Sequence, residues 1–320
     1  MTTPRILVAS LAAIVLMTSC QDEAIENNVS STTDLTPQGT IIVDGEPMYA
    51  GYGYDPVRDR AFRNAIDPWS TFESTDIREA LAVEVTTIET KEEIEKFVGR
   101  NFSLDVNIGI DIFQIGLEIS NDIEKKTTID ANHVTVIARI KSRTGKYLCD
   151  AYPFLTTRAE QTINRGSAKR FIGNYGLLYV DTRIVGGEVY YVYTYDYRRI
   201  SQWNKSEFKA KVTAQITERF GLTAGGGVTS TDSQLISNAQ KTASITSTIP
   251  GFSPRIITDL EQVNEEIAGI QNYLNSNPQK ATTIEMVLTP FHNFIKEDYP
   301  SFGSDLENEY TKYLSNLQGN

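Results

Sequence analysis

The stretch that decides the fold runs from residue 171 to residue 197 and reads FIGNYGLLYVDTRIVGGEVYYVYTYDY. Val, Ile and Tyr are concentrated on both sides of the Gly186–Gly187 pair, and these residue types are enriched in strands. The glycine pair gives the backbone a freedom that residues with a Cβ lack. The stretch therefore predicts a strand, a glycine pair and a second strand within a bent, twisted sheet.

The order of these residues resembles the signature of the membrane-attack-complex/perforin (MACPF) superfamily, which has a Tyr-Gly step, a short hydrophobic strand and then Gly-Gly. The matching residues are Tyr175, Gly176, Tyr179, Gly186 and Gly187. Leu177 and Leu178 stand where the family usually has Thr-His, which removes any polar role for these two side chains. The chain resembles the bacterial lipoprotein type of the superfamily, similar to the MACPF antimicrobial toxins of Bacteroidales.

The resemblance implies an α+β fold of the MACPF and cholesterol-dependent-cytolysin (CDC) type. A bent, twisted central antiparallel sheet is then flanked by two helical clusters, and in that family each cluster can refold into a transmembrane β-hairpin. Residues 102–133 and 206–248 occupy the corresponding places before and after the signature.

Both regions carry apolar periodicities that suit a strand as well as a helix. Apolar and polar residues alternate over 102–112 and then take helical spacing up to Ile123, while 208–224 satisfies both periods. A helix packed on a sheet is the alternative interpretation. As hairpins, the regions would turn these side chains towards lipid: Leu104, Val106, Ile108, Ile110, Ile112, Val212, Ala214, Ile216, Phe220 and Leu222.

The glycines at 225–227 and the Thr/Ser-rich run after them predict the tip of the second hairpin rather than a helix. Ile245, Ser247 and Ile249 would form its outgoing strand. Glu218 interrupts the lipid-facing set of this hairpin.

The amino-terminal residues predict export. Arg5, an apolar run over 6–17 and small residues before Cys20 are typical of a secretory signal. The residues around Cys20 also resemble a bacterial lipobox, and the alternative is an ordinary signal that contains a cysteine. The expected segments are a signal peptide over 1–19, a flexible tether over 20–45 that begins at a lipidated Cys20, and a MACPF-like domain over 46–320. We expect a lipid-anchored location at the bacterial outer membrane, surface-exposed or released.

Charge and motif content argue against other classes of function. The net charge of -11 over 320 residues and the lack of a basic stripe argue against a nucleic-acid partner. His133 and His292 are far apart, and no nucleophile, phosphate-loop or metal motif occurs. We therefore expect no enzymatic activity, no cofactor and no metal site, and Cys149 is predicted to be a small buried residue.

The tyrosines at 191, 193, 195 and 197 lie two residues apart and would share one face of a strand. Cross-strand packing is one use of such a set. Stacking on sugars or a position at a bilayer interface is the alternative.

The resemblance and the two dual-period regions together predict a pore-forming protein that assembles into a ring on a target membrane, as an antibacterial or cytolytic toxin. Its expected partners are target-membrane lipid, other copies of the chain and a receptor that is a glycan, a lipid or an outer-membrane protein. The alternative is a non-lytic surface lipoprotein of the same fold that serves adhesion or glycan binding.

Overall fold

A computed structural model of the chain describes residues 42–43, 46–55, 60–74, 81–99, 102–104, 117–224 and 228–318. The strands within these ranges are β1 (Ile42–Val43), β2 (Glu46–Pro47), β3 (Tyr52–Asp55), β4 (Arg60–Asn64), β5 (Thr71–Ser74), β6 (Leu81–Ile88), β7 (Phe102–Leu104), β8 (His133–Cys149), β9 (Leu178–Asp196), β10 (Gln240–Ser247) and β11 (Thr282–Pro290). The helices are α1 (Lys91–Gly99), α2 (Leu117–Lys126), α3 (Thr157–Asn164), α4 (Ala168–Tyr175), α5 (Lys205–Arg219), α6 (Ser230–Ala239), α7 (Leu260–Ser276), α8 (His292–Asp298) and α9 (Pro300–Gln318).

Strand β9 is the axis of a large, mainly antiparallel sheet. It pairs with β8 along one edge, and along the other with β10 over its second half and β11 over its first half. Strand β6 pairs with β8, so four antiparallel strands lie side by side in the order β6, β8, β9, β10. Strand β7 adds a short parallel pairing to β11. The α+β class with a large antiparallel sheet is confirmed, and residues 178–196 form one continuous strand rather than two strands around a glycine pair.

The two faces of β9 are both covered, because successive side chains of a strand point to opposite sides. Its odd-numbered residues 189, 191, 193 and 195 belong to a core that includes residues of α5, α6 and α7. Its even-numbered Tyr190 and Val192 pack with residues of α1 and α2 on the opposite face. The sheet is therefore the middle layer between two sets of helices.

The tyrosine set is part of the first of these cores. Tyr191, Tyr193 and Tyr195 are 1%, 1% and 0% exposed, and Tyr193 and Tyr191 contact the ring of Phe220. Tyr197 follows the strand and donates a hydrogen bond from its hydroxyl to the carbonyl of Trp203 at 3.0 Å. Packing is thus confirmed for the three buried rings, which in this conformation are not accessible to a sugar or a bilayer.

The second dual-period region is helical in this structure. Asn204 and Glu207 form a capping box at the start of α5, which satisfies backbone N–H groups that the first turn leaves unpaired. The four-residue spacing of Phe208, Val212 and Ile216 then places all three in the core. The helical period is selected here because it gathers these three apolar side chains into one buried stripe.

The Thr/Ser-rich run after residues 225–227 was predicted as a hairpin tip, and this prediction is wrong for the described conformation. Thr229 and Asp232 form a second capping box, and α6 follows directly. Strand β10 then confirms Ile245 and Ser247 as strand residues, while Ile249 lies two residues beyond its end. Residues 225–227 lie outside the described part of the chain.

The first dual-period region is described in two pieces. Residues 102–104 form β7, and the helical spacing that reaches Ile123 corresponds to α2, where Ile123 is fully buried. The predicted strand residues 105–112 lie outside the described part.

The signature Tyr175-Gly176 step closes α4 and crosses β3 at very short range. Gly176 has φ 79° and ψ -173°, a region that is accessible in practice only to glycine. A Cβ there would lie 2.3 Å from the carbonyl oxygen of Tyr54, and a Cβ on Gly53 would lie 1.7 Å from that of Tyr175. Two glycines from distant segments are therefore required for this crossing, which seats α4 against the start of β9.

We predict that Gly176→Ala lowers the free energy of unfolding by about 1–3 kcal/mol or more, because it adds backbone strain and a clash with main-chain atoms. Gly173→Ala is the matched control, since Gly173 lies inside α4 and an added Cβ would meet nothing within 4 Å beyond the backbone of its own helix. The control is expected to raise stability by about 0.5–1 kcal/mol through helix propensity. Urea unfolding of both variants measures the difference, and equal effects would refute the crossing argument.

Candidate functional site

Two connections leave the sheet and return to it at the same end, and both contain helices in their described parts; the first also contains β7, which pairs with β11. The first, here called cluster 1, spans residues 89–132 and joins β6 to β8; the second, cluster 2, spans 197–239 and joins β9 to β10. Pairing of His133 with Asp196 and of Gln240 with Tyr195 shows that the strands reach this end at one level. We call it the cluster end, and the opposite end, near Leu178, the signature end.

Cluster 1 is attached to β10, the outer strand that cluster 2 leads into. Lys126 of α2 donates hydrogen bonds to the carbonyl oxygen of Ile245 at 2.8 Å and to the hydroxyl of Thr246 at 2.9 Å. Asp122 accepts from Lys126 at 2.6 Å and from Thr246 at 2.7 Å. Burial alone would raise the pKa of Asp122, but these hydrogen bonds bring it below its usual value, so the carboxylate is charged at neutral pH.

Cluster 2 is attached to β6, the outer strand on the opposite side of the four-strand group. The hydroxyls of Thr87 in β6 and Thr213 in α5 are 2.6 Å apart. Glu89, the first residue of cluster 1 after β6, accepts a hydrogen bond from Lys209 of α5 at 2.7 Å, which joins the two clusters directly. An open groove of about 940 Å³ is lined by residues of β6 and α5 around these contacts, including Thr87, Lys209, Thr213 and Ala214.

Cluster 1 is therefore attached to β10 and cluster 2 to β6, in each case the outer strand on the far side of the four-strand group. The two attachments lie on opposite faces of the sheet. These contacts are polar and partly exposed, and such ion pairs contribute only about 0–1 kcal/mol each. The arrangement couples the two clusters, because displacement of either one breaks contacts with a strand that adjoins the other.

The glycine pair lies at the middle of β9, where it allows close contact on two sides. A Cβ on Gly186 would lie 1.9 Å from the carbonyl oxygen of Ser142 in β8. A Cβ on Gly187 would lie 2.2 Å from the side chain of Ile249 and 3.4 Å from that of Leu274 in α7. Gly186 thus sets the distance between two strands, and Gly187 sets the position of the chain beyond β10.

The strands on both sides of the glycine pair are irregular at this level. The register of β8 shifts between Arg143 and Gly145, opposite Gly186 and Val185. The register of β11 shifts between Thr283 and Glu285, opposite Val185 and Ile184. Because an extra residue bends a strand and increases its twist, β9 stays continuous while both neighbours bend around it.

A buried ionic network covers the sheet beside the glycine pair, on the face of α1 and α2. Glu188 is 3.5 Å from Arg139 and 3.8 Å from Lys141, and it accepts a hydrogen bond from the hydroxyl of Tyr190 at 2.8 Å. Arg139 also contacts Glu84 at 2.7 Å, and Lys141 contacts Glu285 at 3.1 Å. Arg139, Lys141 and Glu188 are each at most 4% exposed, so their charges are compensated by one another and by Glu84 and Glu285 rather than by water.

Burial raises the pKa of the Glu188 carboxyl, and the charges of Arg139 and Lys141 oppose that rise. Burial likewise raises the pKa of Tyr190 far above its usual value. Sequence reasoning missed this network, although a signal is present: Arg139, Lys141 and Arg143 follow one another at the two-residue period of a strand.

The structure separates the predicted membrane-facing residues into distinct environments. Val212, Ile216 and Phe220 are buried in the core, whereas Ala214 and Leu222 are half-buried. Leu104 lies in β7 beside β11. Cys20, Val106, Ile108, Ile110 and Ile112 lie outside the described residues. Lipidation and lipid contact at all these positions stay predictions.

Residues considered for chemistry are held by structural contacts. Cys149 is buried as predicted, and burial raises the pKa of its thiol to about 12. The Nδ1 atom of His133 is 2.8 Å from Asp130, and its Nε2 atom is 3.2 Å from Nζ of Lys241. Among the described residues, no group of three or more His, Cys, Asp or Glu side chains could hold a metal ion. No helix in the described ranges is both long and apolar enough to cross a membrane.

Comparison with known proteins gives similarity at the level of structure. No family model and no curated protein matches the chain. The crystal structure of GNIP1Aa from Chromobacterium piscinae aligns at a TM-score of 0.48 and 14% identity, covering 89% of this chain and 56% of that one. A putative cell invasion protein with a MAC/perforin domain from Bacteroides thetaiotaomicron aligns at 0.44 and 11%, covering 87% and 63%. Astrotactin-2, described as perforin-like, aligns at 0.40 and 8%, covering 79% and 94%.

The second of these structures is described as containing a MAC/perforin domain and the third as perforin-like. The chain spans about six tenths of the length of the first two. At such identities the likeness concerns the course of the chain and not its activity. The mixed α/β architecture itself is established by the strand pairings above.

We predict that Gly186→Ala destabilises the protein more than Gly187→Ala. The first variant forces two main chains apart, whereas the second meets the side chain of Ile249, which can rotate. Overpacking of the Gly187 kind costs about 1–3 kcal/mol. Thermal unfolding followed by circular dichroism measures both, and a larger loss for Gly187→Ala would contradict the assignment of Gly186 to strand spacing.

We predict that Arg139→Met lowers the free energy of unfolding by about 3–5 kcal/mol, because it leaves Glu188 buried with less compensation. Removing Arg139 raises the pKa of Glu188 further. A carboxyl whose folded pKa lies above its unfolded value loses stability as pH rises, so the deficit is larger at about pH 8 than at about pH 5.

Lys312→Met is the matched control, since Lys312 contacts Glu309 at 2.6 Å in a partly exposed pair. Its effect should stay within about 1 kcal/mol and change little with pH. Guanidinium unfolding at the two pH values gives both comparisons. A deficit of Arg139→Met that shrinks as pH rises would show that Glu188 is not the group left unpaired.

Proposed function

We propose that the protein perforates membranes: clusters 1 and 2 refold into β-hairpins drawn from residues 102–133 and 206–248, and copies of the chain assemble on a target membrane. The observation that carries the proposal is the strand order β6, β8, β9, β10 with both helical connections at one end. If each connection became extended, it would lengthen two neighbouring strands in register. Each is longer than two membrane strands of about ten residues need.

Assembly follows from the edges of the lengthened sheet. Strands β6 and β10 are outermost among the four, and their hairpin extensions would carry unpaired backbone groups into lipid, where such groups are costly. Pairing of β10 in one copy with β6 in the next satisfies these groups without a new fold. Because cluster 1 contacts β10 and cluster 2 contacts β6, release of the clusters frees both edges together.

The ionic network favours release of cluster 1. An apolar sheet face would lose hydrophobic stabilisation when α1 and α2 depart, at about 25 cal/mol per Å². Here part of that face consists of Arg139, Lys141 and Glu188, which would regain hydration. The sheet face beneath cluster 1 is thus suited to two states: covered by α1 and α2, or exposed to water after the two helices leave.

The apolar residues of α5, which pack in the core here, are also suited to face lipid if this segment becomes an extended strand. Val212 and Ile216, buried in the core here, lie with Ala214 on the even-numbered face of an extended strand. Glu218 lies on the same face and is exposed in this structure, so it would have to lie near the membrane surface or face a pairing partner.

We further propose that the chain is an exported lipoprotein anchored through Cys20, with the role of an antibacterial or cytolytic toxin. The lipobox-like residues before Cys20 support the anchor, and the resemblance to bacterial members of the superfamily supports the role. A receptor on the target, whether glycan, lipid or outer-membrane protein, is part of this proposal. The second candidate is a non-lytic surface lipoprotein for adhesion or glycan binding, which the stable packing of cluster 2 would serve equally well.

Dye release from liposomes of bacterial lipid extract tests the proposal with a cysteine lock, Thr87→Cys/Thr213→Cys, which joins β6 to α5. The two hydroxyl oxygens are 2.6 Å apart, and the S–S bond of a disulfide is about 2.05 Å long, so sulfur atoms at these two positions lie within reach of one another. Cys20→Ser in all proteins excludes acylation, and the raised pKa of the buried Cys149 keeps that thiol unreactive. We expect no release from the oxidised lock and full release after reduction.

Thr213→Cys alone is the control and should release dye under both conditions. If the oxidised lock released dye as fast as the same protein after reduction of its disulfide, cluster 2 would not need to refold and the proposal would fail. Binding of vesicles without release by the reduced protein, on every lipid mixture tried, would favour the non-lytic candidate.

A further inference from the structure

Three tyrosines of β9 form a matched set. Tyr191, Tyr193 and Tyr195 lie on one face of the strand, in the core that includes residues of α5, α6 and α7, and none is more than 1% exposed. A buried tyrosine hydroxyl usually finds a hydrogen-bond partner, because otherwise it loses its hydration without replacement. With equal burial on one strand face, the informative difference between the three rings is what each hydroxyl contacts.

The hydroxyl of Tyr193 is paired. It donates a hydrogen bond to the carbonyl oxygen of Ile257 at 2.9 Å. The guanidinium carbon of Arg219, the last residue of α5, lies 5.3 Å from the centroid of the Tyr193 ring. The polar atom of this side chain is thus compensated for its loss of water.

The hydroxyl of Tyr195 has no acceptor within the described part of the chain, although its oxygen is fully buried. Burial raises the pKa of Tyr195 to about 12, and the positive charge of Arg219 opposes that rise, so the hydroxyl is neutral at physiological pH. A guanidinium carries N–H donors and no acceptor, so Arg219 cannot take the proton of this hydroxyl. The O–H group of Tyr195 is therefore a buried donor without compensation.

Cluster 2 also contains a buried acceptor without a donor. The side-chain nitrogen of Gln215 in α5 donates to the carbonyl oxygen of Ser233 in α6 at 3.4 Å. The Oε1 atom of Gln215 is buried and has no donor among the described residues. The hydroxyl of Tyr191 is unpaired as well, but it lies beside Glu266 of α7, which is not part of cluster 2.

The packing of cluster 2 is therefore the balance of two opposing contributions. The buried apolar stripe of α5 favours the packed state. The unpaired atoms of Tyr195 and Gln215 oppose it, because they regain contact with water only when α5 moves away from the sheet. Removing an unpaired buried polar atom stabilises the packed state, whereas removing a paired one leaves its partner unsatisfied.

We propose that the hydroxyl of Tyr195 is a built-in destabilising group that keeps cluster 2 closer to release from the sheet than its apolar packing alone would. Its importance for pore formation rests on the proposed function, in which cluster 2 leaves the sheet. The local opening of α5 itself requires no membrane and is measured in solution.

Native-state hydrogen exchange of the full-length chain with Cys20→Ser, read by mass spectrometry, tests the proposal. Peptides from α5 report the opening of cluster 2. Tyr195→Phe should slow their exchange about fivefold or more, because the packed state loses an unpaired polar group. Tyr193→Phe is the matched control: it removes the same atom from the same strand face and should speed their exchange about fivefold, because the carbonyl of Ile257 loses its donor.

Peptides from α9 are the internal reference. Residues of α9 pack in two other cores, so their exchange should stay unchanged in Tyr195→Phe. Unchanged or faster exchange of α5 in this variant would overturn the proposal, because the hydroxyl would then be compensated. Equal slowing in α5 and α9 would overturn it too, since the variant would then have changed global stability rather than the release of cluster 2.

Dye release from liposomes separates this inference from the proposed function. If both hold, Tyr195→Phe delays the onset of release and Tyr193→Phe hastens it. The expected exchange rates without release by any of the proteins would refute the proposed function and leave the inference standing. Release by all of the proteins with faster α5 exchange in Tyr195→Phe would refute the inference alone.

Discussion

The rest of the structure depends on the pairing of β9 along both edges and its burial on both faces. A strand in this position has no solvent side, so its sequence lacks the usual alternation of apolar and polar residues. Its neighbours must approach closely, and at Gly186 the main chain of β8 leaves no room for a Cβ. The irregular register of β8 and β11 is the consequence at the same level. The glycine pair thus fixes the spacing of the central strands and the place where the surrounding sheet bends.

The two clusters are stabilised in a different way from the sheet. Their apolar faces pack on the cores, but the contacts that reach the outermost strands are polar and partly exposed: Lys126 to β10 and Thr213 to β6. Cluster 1 contacts β10, which follows cluster 2 in the chain, and cluster 2 contacts β6, which precedes cluster 1. The two clusters therefore share boundaries. Such shared boundaries favour two discrete arrangements over gradual loosening, because packed interfaces are bistable. The topology is therefore compatible with a joint transition of both clusters.

The amino-acid sequence was sufficient to predict the central strand, the glycine pair and the α+β class, because residue type and close packing are local properties there. It could not decide between helix and strand over 208–224, since both periods are present and the helix is selected by the capping box at Asn204 and by the burial of one helical stripe in the core. The ionic network was missed because the partners of Glu188 lie on β8 and β11, far away in sequence.

The two ends of the sheet differ in what they allow. At the signature end, Gly53 and Gly176 bring main chains into contact, and any movement would break a crossing that no side chain can replace. At the cluster end, the connections are long, capped and held at the outer strands by polar groups that water can substitute. A conformational change of the sheet would therefore begin at the cluster end and stop at the glycine pair, while the signature end stays rigid.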